Sequence, residues 1–145
     1  MILFSSELEL RLENKIKMNK LIVDVTNEKI FLILITNKNI YNITYDNTKI
    51  NYEKLTMIID DFLKTKSLKI DDISKIYINI GPGSFAGIRN SLSLVKALNV
   101  SKRIDYYCYS FDDFKDQKDI KYEDIPNLCD KFKIKKNLIK PIYLS

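Results

Sequence analysis

Ile76-Tyr-Ile-Asn-Ile-Gly-Pro-Gly-Ser-Phe-Ala-Gly-Ile-Arg89 is the stretch on which the reading of this chain turns. All three glycines and one of the three prolines of the 145 residues fall between Gly81 and Arg89, so nearly all of the permissive backbone positions are gathered into one turn. The turn follows a short apolar run, Ile76 to Ile80, and precedes a helical pattern from Phe85 to Asn99. A strand that ends in Gly81-Pro82-Gly83-Ser84 and opens into a helix brings backbone N–H groups and the positive helix end to one point, which is a general anion site. Ser84 is a good N-cap. No Lys-Ser/Thr pair follows the last glycine, so this is not a Walker loop, and the glycine spacing is not that of the dinucleotide fingerprint.

The helix carries two stripes. Phe85, Ile88, Leu92, Val95 and Leu98 form a wide apolar one, and Ala86, Asn90, Ser93 and Ala97 form a second one of small residues. One face packs on a sheet; the other admits a close neighbour. That neighbour is either the helix expected over residues 51–66 or a helix of another protein.

Outward from this stretch, Lys20 to Thr26 reads as a buried strand interrupted by one carboxylate, Asp24, and Ile30 to Thr36 as a nearly continuous apolar strand. Asn27-Glu28-Lys29 makes the hairpin turn between them. Ile40 to Tyr45 alternates more weakly, as a strand near a sheet edge does. Leu55, Ile58, Ile59, Phe62 and Leu63 repeat with helical period over residues 51–66. Ile76 to Ile80 follows as a strand parallel to the first, and Arg103 to Tyr109 as a fifth. The order βββαβαβ is characteristic of an α/β lobe of the actin-like and ribonuclease-H-like (ASKHA) type. After Ser110 the pattern fades into a short irregular C-terminal tail, with one short helix over 126–132. At the other end, residues 1–17 read as an N-terminal extension, a helical stripe of Leu8, Leu12 and Ile16, with Met18 an alternative start.

Composition narrows the chemistry. Hydrophobic residues make up 46% and charged residues 30% of the chain, an ordinary balance for one domain with a real core. Net charge is +5, but the lysines are interspersed with acids (Asp60, Asp61, Lys64, Lys66, Asp71, Asp72) and form no basic stripe of the kind a dedicated nucleic-acid surface needs. Histidine is absent, which removes the commonest general base and the commonest metal ligand. Cys108 and Cys129 are too few and too far apart for a zinc knuckle. The chain is therefore expected to hold no metal and no cofactor, and to be a reduced cytoplasmic protein. No apolar run reaches the roughly 18 residues of a membrane span. One alternative centres on Asp24, which stands where a Mg-nucleotide-binding or phosphotransfer protein of this fold places its first carboxylate. A second carboxylate on another core strand is not evident; Asn79 stands near the end of the fourth strand.

Gly81 to Arg89 resembles the signature GPGSFTGIR of the bacterial TsaB (YeaZ) family, with Ala86 in place of threonine. Leu92 to Leu98 is similar to the continuation of that helix, Leu21 to Thr26 resembles the family's opening strand, and Lys140-Pro-Ile-Tyr-Leu-Ser145 resembles its Pro-x-Tyr-Leu-Arg ending. The resemblance implies a non-catalytic subunit that docks on a TsaD-type transferase in making threonylcarbamoyladenosine at position 37 of tRNA. It also implies a TsaE-type ATPase in the complex, contact with tRNA only indirectly, and a homodimer when the partner is absent. The docking surface it implies is carried by Leu55, Ile59 and Phe62 on the first helix and by Phe85, Ala86, Arg89, Asn90, Ser93 and Ala97 on the second. Asp24 becomes a vestigial nucleotide site. The family carries a second lobe that this chain lacks, so the division expected is 1–17 extension, 18–110 lobe, and 111–145 a reduced remnant of the second lobe with the tail.

Overall fold

The computed structural model describes residues 18–139. The expected helical stripe of residues 1–17 and the ending 140–145 lie outside the described residues. Five strands form one mixed sheet: β1 (Lys20–Asp24), β2 (Lys29–Ile35), β3 (Ile40–Asp46), β4 (Lys75–Asn79) and β5 (Asp105–Tyr109), in the spatial order β3-β2-β1-β4-β5. The first three pair antiparallel as a meander, whereas β4 runs parallel to β1 and β5 parallel to β4. Each parallel step needs a crossover, and helices supply both. The expected α/β lobe with order βββαβαβ is the fold observed.

The first crossover holds α1 (Lys49–Glu53) and α2 (Leu55–Lys64), where the apolar period predicts one helix over 51–66. The chain breaks it at Lys54, which leaves helical geometry (φ −103°, ψ 23°) and turns its N–H onto Asn51 O, while Thr48 caps α1 from the other side. The second crossover is α3 (Phe85–Lys102), longer than expected because it runs on until Arg103 takes a left-handed conformation and its N–H closes on Asn99 O. That stop delays β5 to Asp105.

Helices α1 and α2 rest against α3 on one face of the sheet. There the main core gathers Leu21, Val23, Leu32, Leu34, Ile76 and Ile78 from the strands with Leu55, Ile58, Ile59, Phe62, Leu63, Ile88, Leu92 and Val95 from the helices. The other sheet face is covered by the segment C-terminal to β5. A turn at Phe111–Asp113, a turn at Tyr122–Asp124 and α4 (Ile125–Lys131) bring Phe114, Ile125, Leu128 and Cys129 onto Ile22, Ile33, Tyr77 and Tyr109. The strap from 111 to 134 is thus a layer with its own core. Alternation along the strands explains it: Ile22 and Tyr77 point opposite to Leu21, Val23, Ile76 and Ile78, so a parallel pair that is apolar on both faces needs cover on both.

Candidate functional site

The turn Gly81–Ser84 and the end of β1 meet at the middle of the sheet. Gly81 has φ 105°, and the Gly81–Pro82 peptide is cis. Such a φ favours glycine, because a Cβ clashes there in L-residues. Gly83 and Gly87 are required for a different reason, close approach. A methyl group at Gly83 would stand 2.6 Å from Thr26 Cβ, and one at Gly87 2.6 Å from Val25 Cγ1. The N-terminal turn of α3 is therefore pressed directly onto the β1–β2 hairpin.

The amides that make a turn an anion cradle are partly spent in this arrangement. Gly81 N–H donates to Asn79 Oδ1 at 3.0 Å, and Ser84 N–H donates to Thr26 O at 2.8 Å. Ser84 caps α3 as expected, its Oγ accepting from Gly87 N–H at 3.3 Å. Beside the turn lies an open depression of about 690 Å³ lined by Thr26, Asn27, Glu28, Lys29, Phe31, Asn47 and Ser84. Asp24 is not among its walls.

Asp24 is 0% exposed. Its Oδ1 accepts from Thr26 N–H at 3.0 Å and from Thr26 Oγ1 at 2.6 Å; its Oδ2 accepts from Asn79 Nδ2 at 3.0 Å and from Tyr122 Oη at 2.7 Å. A carboxylate offers about four lone-pair directions, and four donors take them. Asn79, where a second carboxylate would serve a cation, is an amide that holds Asp24 with one end and Gly81 with the other. Burial, then the hydrogen bond to Asp24 and the charge of Asp24, push the Tyr122 hydroxyl well above the usual tyrosine range, so it stays a donor. Tyr109 lies in the same pocket of the second core. Burial, with Asp24 and Tyr122 nearby, raises it too, and its hydroxyl has no hydrogen-bond partner among the described residues. Tyr122 carries no signal in the sequence, since it is 98 positions away from Asp24.

The expected docking residues separate into two groups. Leu55, Ile59 and Phe62 are buried in the main core, because the apolar stripe of α2 is used on the sheet and on α3; they form no surface. Phe85, Arg89, Ser93 and Ala97 are exposed and Ala86 and Asn90 half-buried along the outer side of α3. Phe85, Ala86, Arg89, Asn90 and Ser93 line a groove of about 330 Å³ whose other wall is Tyr52 and Glu53 of α1. Phe85 is 46% exposed at its mouth. Glu53 stands across from Arg89 in the lining, which gives the groove one acid and one base. Tyr52 and Glu53 escaped the sequence reading because the break at Lys54, which orients α1, has no glycine or proline to announce it.

A central strand with a buried acid and a glycine turn into a long helix sit at the middle of this sheet. Solved structures superpose on part of the chain. Part of the chain shares its fold with YeaZ. The structure of YeaZ from Pseudomonas aeruginosa superposes with a TM-score of 0.59 at 18% identity, covering 64% of this chain and 44% of that one. A second structure, described as an uncharacterized protein with similarity to peptidase YeaZ from Pseudomonas aeruginosa, gives 0.59, 18%, 64% and 43%. The chain thus spans less than half the length of these YeaZ structures. Residues 49–109 match the family model described as TsaD, tRNA N6-adenosine threonylcarbamoyltransferase. No curated protein matches the chain in sequence. Among the described residues, no helix is long and apolar enough to cross a membrane.

Proposed function

We propose that this YeaZ-like lobe is a non-catalytic subunit that binds and activates a TsaD-type transferase in the threonylcarbamoyladenosine modification of tRNA, docking through the groove between α1 and α3. The observation that carries the reading is the exposed outer side of α3. Its small residues and Phe85 are left open while the apolar stripes of α2 and of the inner side of α3 are buried, and it starts at the Gly81–Arg89 motif that resembles the TsaB signature. Small residues permit a short distance between helix axes, Phe85 supplies an apolar anchor of the sort that dominates interfaces, and Arg89 and Glu53 supply charge to fix register. In this reading a TsaE-type ATPase joins the complex, tRNA is met through the transferase, and copies of the chain pair through the same groove when the transferase is missing.

The alternative, Mg-nucleotide chemistry at Asp24, is disfavoured by the four donors on that carboxylate, since a cation would have to displace Tyr122 and Asn79 together. The two readings are separated by the rate at which the transferase from the same genome modifies tRNA. Addition of the chain is expected to raise that rate, and Asp24→Asn to leave the stimulation in place. A transferase that runs at full rate alone would overturn the docking reading, and stimulation that vanishes with Asp24→Asn in a folded protein would speak for the alternative.

A further inference from the structure

The segment C-terminal to α4 has a charge pattern of its own. Residues 131–140, Lys-Phe-Lys-Ile-Lys-Lys-Asn-Leu-Ile-Lys, hold five lysines and no acid, directly after a stretch, 111–130, with seven acids and three lysines. An even spread of the 21 lysines over 145 residues would put one or two in ten. The fold adds further cations to this run. Asn137 clamps it to the outer edge of β5 and the end of α3: its N–H donates to Tyr106 O at 2.7 Å, and its Nδ2 to Asp105 Oδ1 at 2.9 Å. Its Oδ1 accepts from Tyr106 N–H at 2.9 Å and from Asn99 Nδ2 at 3.2 Å. Asn137 thereby ties the run to the last turn of α3, which ends in Lys102 and Arg103, and Lys136 reaches Asp105 beside it; Lys102, Arg103, Lys133, Lys135 and Lys136 are all exposed.

Acids answer part of this charge. Lys102 pairs with Asp71 at 2.9 Å and Lys136 with Asp105 at 3.7 Å, and Asp130 precedes Lys131. Arg103, Lys131, Lys133 and Lys135 form no ion pair with another described residue. Between Lys131 and Lys133 in the chain is Phe132, half-buried against Phe114, with the Lys131 ammonium 5.6 Å from its ring centre. Cations interleaved with an aromatic ring along one edge are the arrangement that tracks a phosphate backbone and stacks an unpaired base.

We infer that this edge, Arg103 with Lys131, Lys133, Lys135 and Phe132, binds the phosphate backbone of RNA. An anionic membrane is the weaker partner, because the apolar side of α4 (Ile125, Leu128, Cys129) is already buried on the sheet and leaves no free amphipathic face to insert. None of these residues lines the α1–α3 groove, so RNA binding at this edge stands apart from docking there; it departs from that reading in giving this chain its own contact with RNA.

The test is fluorescence anisotropy of the full chain with a labelled single-stranded RNA of about 20 nucleotides, between about 50 and 200 mM salt. Four phosphate contacts predict a loss of affinity of about 50-fold across that range. The variant Arg103→Asn/Lys133→Asn/Lys135→Gln is expected to bind at least tenfold more weakly at the low-salt end. Asparagine accepts the left-handed backbone that residues 103 and 133 adopt, so a melting curve like that of the parent is expected. A control of equal charge change elsewhere, Lys38→Gln/Lys64→Gln/Lys96→Gln, is expected to stay within threefold of the parent. No binding at the low-salt end, an equal loss in the control, or capture by phosphatidylserine vesicles without capture of RNA would overturn the inference.

Discussion

Tyr122 Oη donates to Asp24 Oδ2 at 2.7 Å and so ties the strap after β5 to the central strand of the sheet. The bond closes the carboxylate that an actin-like lobe would otherwise present to a ligand. Tyr122→Phe removes one of four donors and keeps the ring that packs on Phe31. A loss of about 1–3 kcal/mol is expected, read as a lower urea midpoint with an unchanged slope.

Three tyrosines of the second core set the response to alkali. Burial is the first cause that raises Tyr77, Tyr109 and Tyr122 above the ordinary value of 10.0, with nearby Cys129, Asp24 and the hydrogen bond to Asp24 respectively as the next cause. Above that value the unfolded chain gives up these protons and the folded chain keeps them. The stabilisation is complete below about pH 10 and is lost as the pH rises beyond it. Urea midpoints from about pH 8 to 11 should fall, and the fall should be shallower in Tyr122→Phe.

Gly87→Ala tests the contact between α3 and the hairpin. Its methyl group would have to displace Val25 at 2.6 Å, and overpacking of this kind costs about 1–3 kcal/mol. Alanine favours a helix interior elsewhere, by about 1 kcal/mol over glycine, so a rise in melting temperature would show that α3 and β1 are not pressed together in solution.

The sheet and its connections are legible in the sequence because each rests on local pattern. Ile30 to Thr36 and Ile76 to Ile80 read as buried runs, the glycine turn separates β4 from α3, and Ser84 announces the cap. The docking face is legible in part. Helical period identifies the apolar stripe of α2, but the resemblance assigns Leu55, Ile59 and Phe62 from it to the docking surface, and they are found in the core. The strap is least legible. Its turns at 111–113 and 122–124 rest on Asp113 and Asp124, which accept from the N–H groups of Ser110 and Lys121. Amid so many Asp and Lys residues these caps are invisible, and the partners of Phe114 and Tyr122 are fixed only by the fold.

That distinction between core and surface is itself measurable. Leu55→Ala is expected to cost about 2–5 kcal/mol as a buried deletion, whereas Arg89→Glu is expected to change stability by no more than about 0.5 kcal/mol. Thermal melts of the two variants side by side check both. A stable Leu55→Ala protein would put α2 on the surface after all.

The central claim is the use of the α1–α3 groove, and calorimetric titration of the chain into the TsaD-type transferase of the same genome tests it most directly. The account predicts one-to-one binding by the parent chain, and at least tenfold weaker binding by a folded Phe85→Ala/Arg89→Glu variant. No heat of binding with the parent, or equal affinity in the two, would contradict it.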